Sequence, residues 1–187
     1  MKLRSERAAP VLAAPKDRWT LAAVLSGAMV LDLVVWPVLA PFGQTPDTLL
    51  SVTVAMAMVG WGGPAVLAAL ALGLLIDLSG GVLIGLGAAS RALVVAGVAY
   101  AAPRAGVDRL GVAVAMADAA AVAAWGVAQL GAAAFGVDVY VTAAQVVQVL
   151  VHALLTGAVF AVAYALLNGV ALRAQRRLPG RRRVTLP

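Results

Sequence analysis

Long apolar stretches, punctuated by glycine- and proline-containing turns, constrain this chain more than any other feature. A helix that crosses the bilayer core needs about 20 apolar residues, with roughly 17–25 tolerated. Trp19–Ala40 is the first stretch of that length, and Asp32 is its only charge. Composition points the same way: 63% of the 187 residues are hydrophobic and 12% are charged, against about 25% charged in a soluble domain. A water-soluble core of this size has no way to hide so much apolar surface. The chain reads as an integral membrane protein.

Five further stretches come after it. Pro41–Asp47 is a turn with two prolines and a glycine. Residues 48–78 are too long for one simple span and are divided by Gly60-Trp61-Gly62-Gly63-Pro64, because proline lacks an N–H and glycine tolerates turn geometry. This predicts two short helices, Thr48–Trp61 and Pro64–Leu78. After the turn Ser79-Gly80-Gly81 come Val82–Ala102 with Arg91, Leu110–Phe135 with Asp118 and Gln129, and Ala143–Leu172 with Gln145, Gln148 and His152. The expected fold is all-α: a compact bundle of about six transmembrane helices over 19–172, joined by short loops. Basic tails, 1–18 and 173–187, flank it. Treating 48–78 as a re-entrant hairpin would leave the same parity.

The formal net charge of +6 is concentrated at the two ends. Five Lys and Arg precede Thr20 and six follow Leu172, so the charge reads as a topology signal and a contact for anionic lipids, with no nucleic acid implied. With a cytoplasmic N-terminus, thirteen of the fourteen basic residues face the cytoplasm and the three outside loops carry none. Both termini are therefore expected in the cytoplasm.

Catalytic patterns are scarce. With no cysteine and one histidine, thiolate catalysis, cysteine-ligated metals, disulfides and a His-Glu-x-x-His zinc site are all out of reach. No Gly-x-Ser-x-Gly elbow occurs, and Gly85-Leu-Gly87 lacks the strand and third glycine of a dinucleotide loop. The sequence gives no reason to expect an enzyme or a cofactor.

The polar groups inside the spans are more informative, since each ionisable one costs at least about 2.5–3.5 kcal/mol to insert and needs a partner or a purpose. At about 1.5 Å per residue, Asp32 lies roughly 12 Å below the outer end of its span, and Arg91 and His152 roughly 13–14 Å below theirs. Gln145, Gln148 and His152, at i, i+3 and i+7, share one helix face. Asp32, Arg91, Gln148 and His152 thus form one polar layer. An Asp32–Arg91 ion pair with hydrogen-bonding glue around it is the simpler account; an outward-opening pocket for a small ligand is the functional one. Asp118 is expected to capture Arg104 or Arg109.

Residues 46–91 carry a further pattern. Pro46-Asp47 opens a short helix, a Gly-rich turn covers 60–63, Gly73-Leu74-Leu75-Ile76-Asp77 comes next, and Gly80-Gly81 leads to Ile84-Gly85. Gly81 and Gly85 make a G-x-x-x-G, which favours close helix approach, and Asp77 is placed to cap the start of span four. This pattern, with the chain length and basic ends, resembles the rod shape-determining MreD family, with departures at Ala69 and Arg91. The resemblance implies a non-enzymatic membrane role in bacterial cell elongation, beside the bitopic MreC, the actin-like MreB, and RodA with its penicillin-binding transpeptidase. It also implies a plasma-membrane location. The alternative is the substrate-binding S-component of an energy-coupling-factor vitamin transporter, a six-span bundle that the MreD family is thought to resemble. The polar layer would then be its pocket.

Overall fold

The computed structural model describes residues 15–40, 43–80, 83–105, 110–139 and 141–176, and every element in them is helical. The first helix, α1, is α-helical over Pro15–Val30, π-helical over Leu31–Val35 and α-helical again over Trp36–Leu39. After it come α2 (Thr48–Met58), α3 (Gly62–Gly80), α4 (Leu86–Ala105), α5 (Leu110–Ala134) and α6 (Ala143–Arg176). The wide turn in α1 has a local cause. Pro37 has no N–H for the carbonyl of Leu33 and its ring crowds that carbonyl, so the preceding turn opens to the π spacing.

Five of the six helices are long and apolar enough to cross a membrane. The sixth, α2, is the first of the two short helices expected over 48–78. With 11 residues, α2 rises about 16 Å, roughly half the hydrocarbon thickness. Every residue from Thr48 to Ala57 is buried, because α2 packs against α1, α3, α4, α5 and α6. A helix apolar on all sides belongs inside a bundle, and here it is the axle around which the others stand.

Small residues set the spacing. Ala65, Ala69, Ala88, Ala92, Ala113, Ala117, Ala120, Ala121 and Ala124 are all buried, which lets helix backbones approach where lipid supplies no hydrophobic drive. At a close crossing of α3 and α4, a methyl on Gly73 would stand 2.9 Å from the Ala88 Cα. Larger side chains fill the space around α2: Phe160 is fully buried and stacks on Tyr164 with ring centroids 5.5 Å apart.

Most helix ends move by a few residues from the sequence reading: α1 starts at Pro15, α2 ends at Met58 and α3 covers Gly62–Gly80, and α4 and α6 differ as well. Helix α4 starts at Leu86, four residues later than expected, and runs through Pro103 to Ala105. Arg104 holds that last turn, donating to the Tyr100 carbonyl at 2.5 Å with its guanidinium 3.7 Å above the Tyr100 ring. Helix α6 continues past Leu172 to Arg176.

Candidate functional site

The site begins at the N-terminus of α2, which starts inside the bundle. Residues 43–47 fold back from the end of α1 and bury Pro46, so the first N–H groups of α2 have no water to bond. Each such group left unpaired in a membrane costs several kcal/mol. Asp32 answers this need: its Oδ1 accepts from Thr48 N and its Oδ2 from Leu49 N, both at 2.8 Å. Asp47, the N-cap residue, accepts from Leu50 N at 2.8 Å through Oδ1, and its own N–H donates to Thr156 Oγ1 at 3.1 Å. Trp36 Nε1 donates to Thr48 Oγ1 at 2.6 Å. Two carboxylates at the positive end of one helix also complement its dipole.

Arg91 is therefore not the partner of Asp32. Its Nε lies 2.7 Å from Asp47 Oδ2, and its Nη1 lies 3.6 Å from Asp77 Oδ1. The expected Asp32–Arg91 pair is corrected to an Asp47–Arg91–Asp77 bridge. Depth arithmetic misplaces Asp47 by leaving it in an outer turn. Asp77 does cap α4 as its position suggests, with Oδ2 accepting from Gly85 N at 3.1 Å and Ala88 N at 2.9 Å. Gly87 makes the bridge possible, since a Cβ there would fall on Asp77 Oδ1 and 3.0 Å from Arg91 Nη1.

The capped turn also revises the glycine motif. Gly85 precedes α4 with φ +91°, so it serves the turn and is not part of a helix–helix face. Gly81 lies outside the described residues. The close approach expected of Gly81 and Gly85 falls instead on Gly73 against Ala88. No family model, characterised protein or solved structure matches this chain. Function is therefore read from the bundle's own geometry.

Beside the Asp47–Arg91 pair is a cavity of about 370 Å³, at the end of the bundle that carries the 43–47, 83–85 and 137–139 loops. Of the expected polar layer, Arg91, Gln148 and His152 line it together with Gln145, whereas Asp32 does not. A smaller cavity of about 140 Å³ lies on the other side of the pair and includes Asp32, Thr45 and Ile76. His152 Nδ1 is 2.6 Å from the Thr45 carbonyl. A carbonyl only accepts, so Nδ1 carries the proton and pins the folded-back segment to α6.

Several residues of the site escape the sequence reading. Trp125, Gln44 and Ser90 line the larger cavity, and nothing in their local sequence marks them. Gln145 is different: with Thr142 it forms a helix-start signature, Thr-x-x-Gln, and its Oε1 accepts from Thr142 N at 2.9 Å. Asp118 does not meet Arg104, which is bonded to Tyr100, and Arg109 lies outside the described residues. Its Oδ1 is buried without a hydrogen-bond partner among the described residues, against Gly157 of α6, where a Cβ would collide with it. Among the described residues, no group of His, Asp or Glu is arranged to hold a metal ion.

Proposed function

We propose that this chain is a non-enzymatic scaffold of the bacterial cell-elongation and peptidoglycan-synthesis machinery, resembling MreD and acting with an MreC-like bitopic protein. The observation that carries the reading is the structural task found for the motif residues. Gly73 gives the α3–α4 crossing, Asp77 caps α4, Gly85 makes the turn, and Asp47 caps α2 while pairing with Arg91. A motif made of helix-crossing and capping residues specifies a bundle shape, which is what a scaffold offers its partners. Leu74 is the motif residue that points away from the bundle, 41% exposed beside Leu67, Leu70 and Leu78. That outer face of α3 suits the single span of a partner better than the short loops do.

In this reading the protein sits in the plasma membrane with both termini in the cytoplasm, its basic tails against anionic lipid and the cytoplasmic side of the machinery, with MreB beneath and RodA and its transpeptidase alongside. Single cysteines at Gln44 and Asp138 are expected to react with an impermeant reagent in intact cells, and one at Ser5 only after lysis. Labelling at Ser5 in intact cells reverses the orientation. The function itself is tested by copurification from detergent with an MreC-like partner, scored beside cell width. Substituting Leu74 and Leu78 with Ala is expected to weaken retention. Arg176→Ala and Arg177→Ala act more mildly, since a basic residue near an anionic membrane surface contributes only about 1 kcal/mol.

The polar-lined cavity favours a second reading, the S-component of a vitamin transporter. A chain that retains a vitamin and an ATPase module in place of MreC decides for it.

A further inference from the structure

The larger cavity has two unlike walls. Ala121, Ala124, Trp125 and Ala128 form the first; at i, i+3, i+4 and i+7 they are one face of α5. Trp125 adds a flat apolar ring to that small-residue surface. The second wall is polar, with Gln145, Gln148 and His152 from α6 and Gln44 from the folded-back segment.

The charges at this site already face each other. Of the lining residues, Arg91 and Asp47 are the charged ones, and they are bonded to one another at 2.7 Å, with Asp77 3.6 Å from Arg91 on the far side. A ligand with a net charge would have to break that largely buried bridge or lie beside it without a counter-charge, and either carries a cost. A net-neutral ligand avoids both.

What remains available is hydrogen bonding of both signs. Each glutamine amide presents donors and an acceptor. The Gln145 Oε1 is occupied by Thr142, which leaves its NH2 to donate. His152 uses Nδ1 on Thr45, which leaves Nε2 for the ligand. Donors and acceptors on one side and a flat apolar ring on the other match a small ring that carries hydroxyl and amide groups. The volume of about 370 Å³ falls at the lower end of the roughly 300–1,000 Å³ typical of small-molecule sites.

We propose that this cavity binds a small, net-neutral ring bearing hydroxyl and amide groups, of the acetamido-sugar class. The ring's apolar face lies on Trp125 and its polar edge meets Gln145, Gln148 and His152. The site rests on the cavity alone and holds whichever assembly the chain joins.

The test is a titration of the full chain in detergent, read by thermal shift and native mass spectrometry. The probes are N-acetylglucosamine, glucosamine and glucuronate, which keep a related ring while the charge goes from neutral to positive to negative. Saturable binding of N-acetylglucosamine, at least about tenfold tighter than either charged sugar, is the expected result. Gln148→Leu is expected to weaken it about tenfold, through loss of a hydrogen-bonding partner. Ala128→Leu fills the cavity without removing a hydrogen bond, so it should abolish binding while the ligand-free protein still folds. Tighter binding of a charged sugar overturns the proposal. So does undiminished binding by the Ala128→Leu variant, or no saturable binding at millimolar N-acetylglucosamine. Copurified proteins are scored on the same preparation, so failure of either assembly reading is seen separately from failure of the site.

Discussion

Replacing Arg91 with leucine is expected to destabilise the bundle by about 3–5 kcal/mol, because it leaves two carboxylates without their counter-charge in a water-poor interior. The side chains of Arg91 and Asp47 are only 19% and 11% exposed, so solvent does little to soften the loss. Adding Asp47→Asn to Arg91→Leu removes one of the stranded charges and should recover part of the stability, giving a coupling in a double-mutant cycle. Adding Asp32→Asn should not. Asp32 holds the N–H groups of Thr48 and Leu49, so its loss adds a separate cost. Unfolding by denaturing detergent in mixed micelles reads both cycles. Coupling of Arg91 to Asp32 in place of Asp47 would sink the assignment.

The second large effect is expected at the α3–α4 crossing. A methyl on Gly73 would meet the Ala88 Cα at 2.9 Å and its Cβ at 3.2 Å. The obstacle is backbone, which has no rotamer to escape into. Gly73→Ala should therefore cost about 1–3 kcal/mol, the usual range for forcing an extra carbon into a packed contact, and Gly73→Leu more. Gly97 on α4 provides the control, since a Cβ there meets nothing within 4 Å. Gly97→Ala should be neutral or stabilising by up to about 1 kcal/mol, through the lost conformational freedom of glycine. The same detergent unfolding measures all three variants. Equal effects of alanine at 73 and 97 would show that the crossing is not tightly packed.

Much of the candidate site is legible because its signals are local or lie on one helix. Gln145, Gln148 and His152 share a face by spacing alone, and they line one cavity in the structure. The capping of α4 by Asp77 spans only eight to eleven residues of chain, so an acid near the expected turn, facing the positive end of the next helix, points to it. The glycine pair misleads for an equally local reason. Its spacing suits a continuous helix, whereas the N–H of Gly85 bonds to Asp77 and its φ is positive. Trp125 does not stand out, because an aromatic residue in an alanine-rich span faces lipid or cavity according to how its helix is rotated.

Number, order and approximate ends of the helices were set by the sequence itself, since apolar length and glycine or proline punctuation act within a few residues of each break. The partner of Arg91 was decided by tertiary structure. Depth counted along straight helices places Asp32 level with it, but residues 43–47 turn back into the bundle and bring Asp47 to within 2.7 Å. The reason is the backbone of α2. A short helix that starts away from water must find acceptors for its first N–H groups, and Asp32 is the acid that the π turn of α1 carries to them. Once Asp32 is committed there, Arg91 is left to Asp47 and Asp77. That choice depends on three helices and a folded-back segment meeting at one point, which no spacing along the chain records.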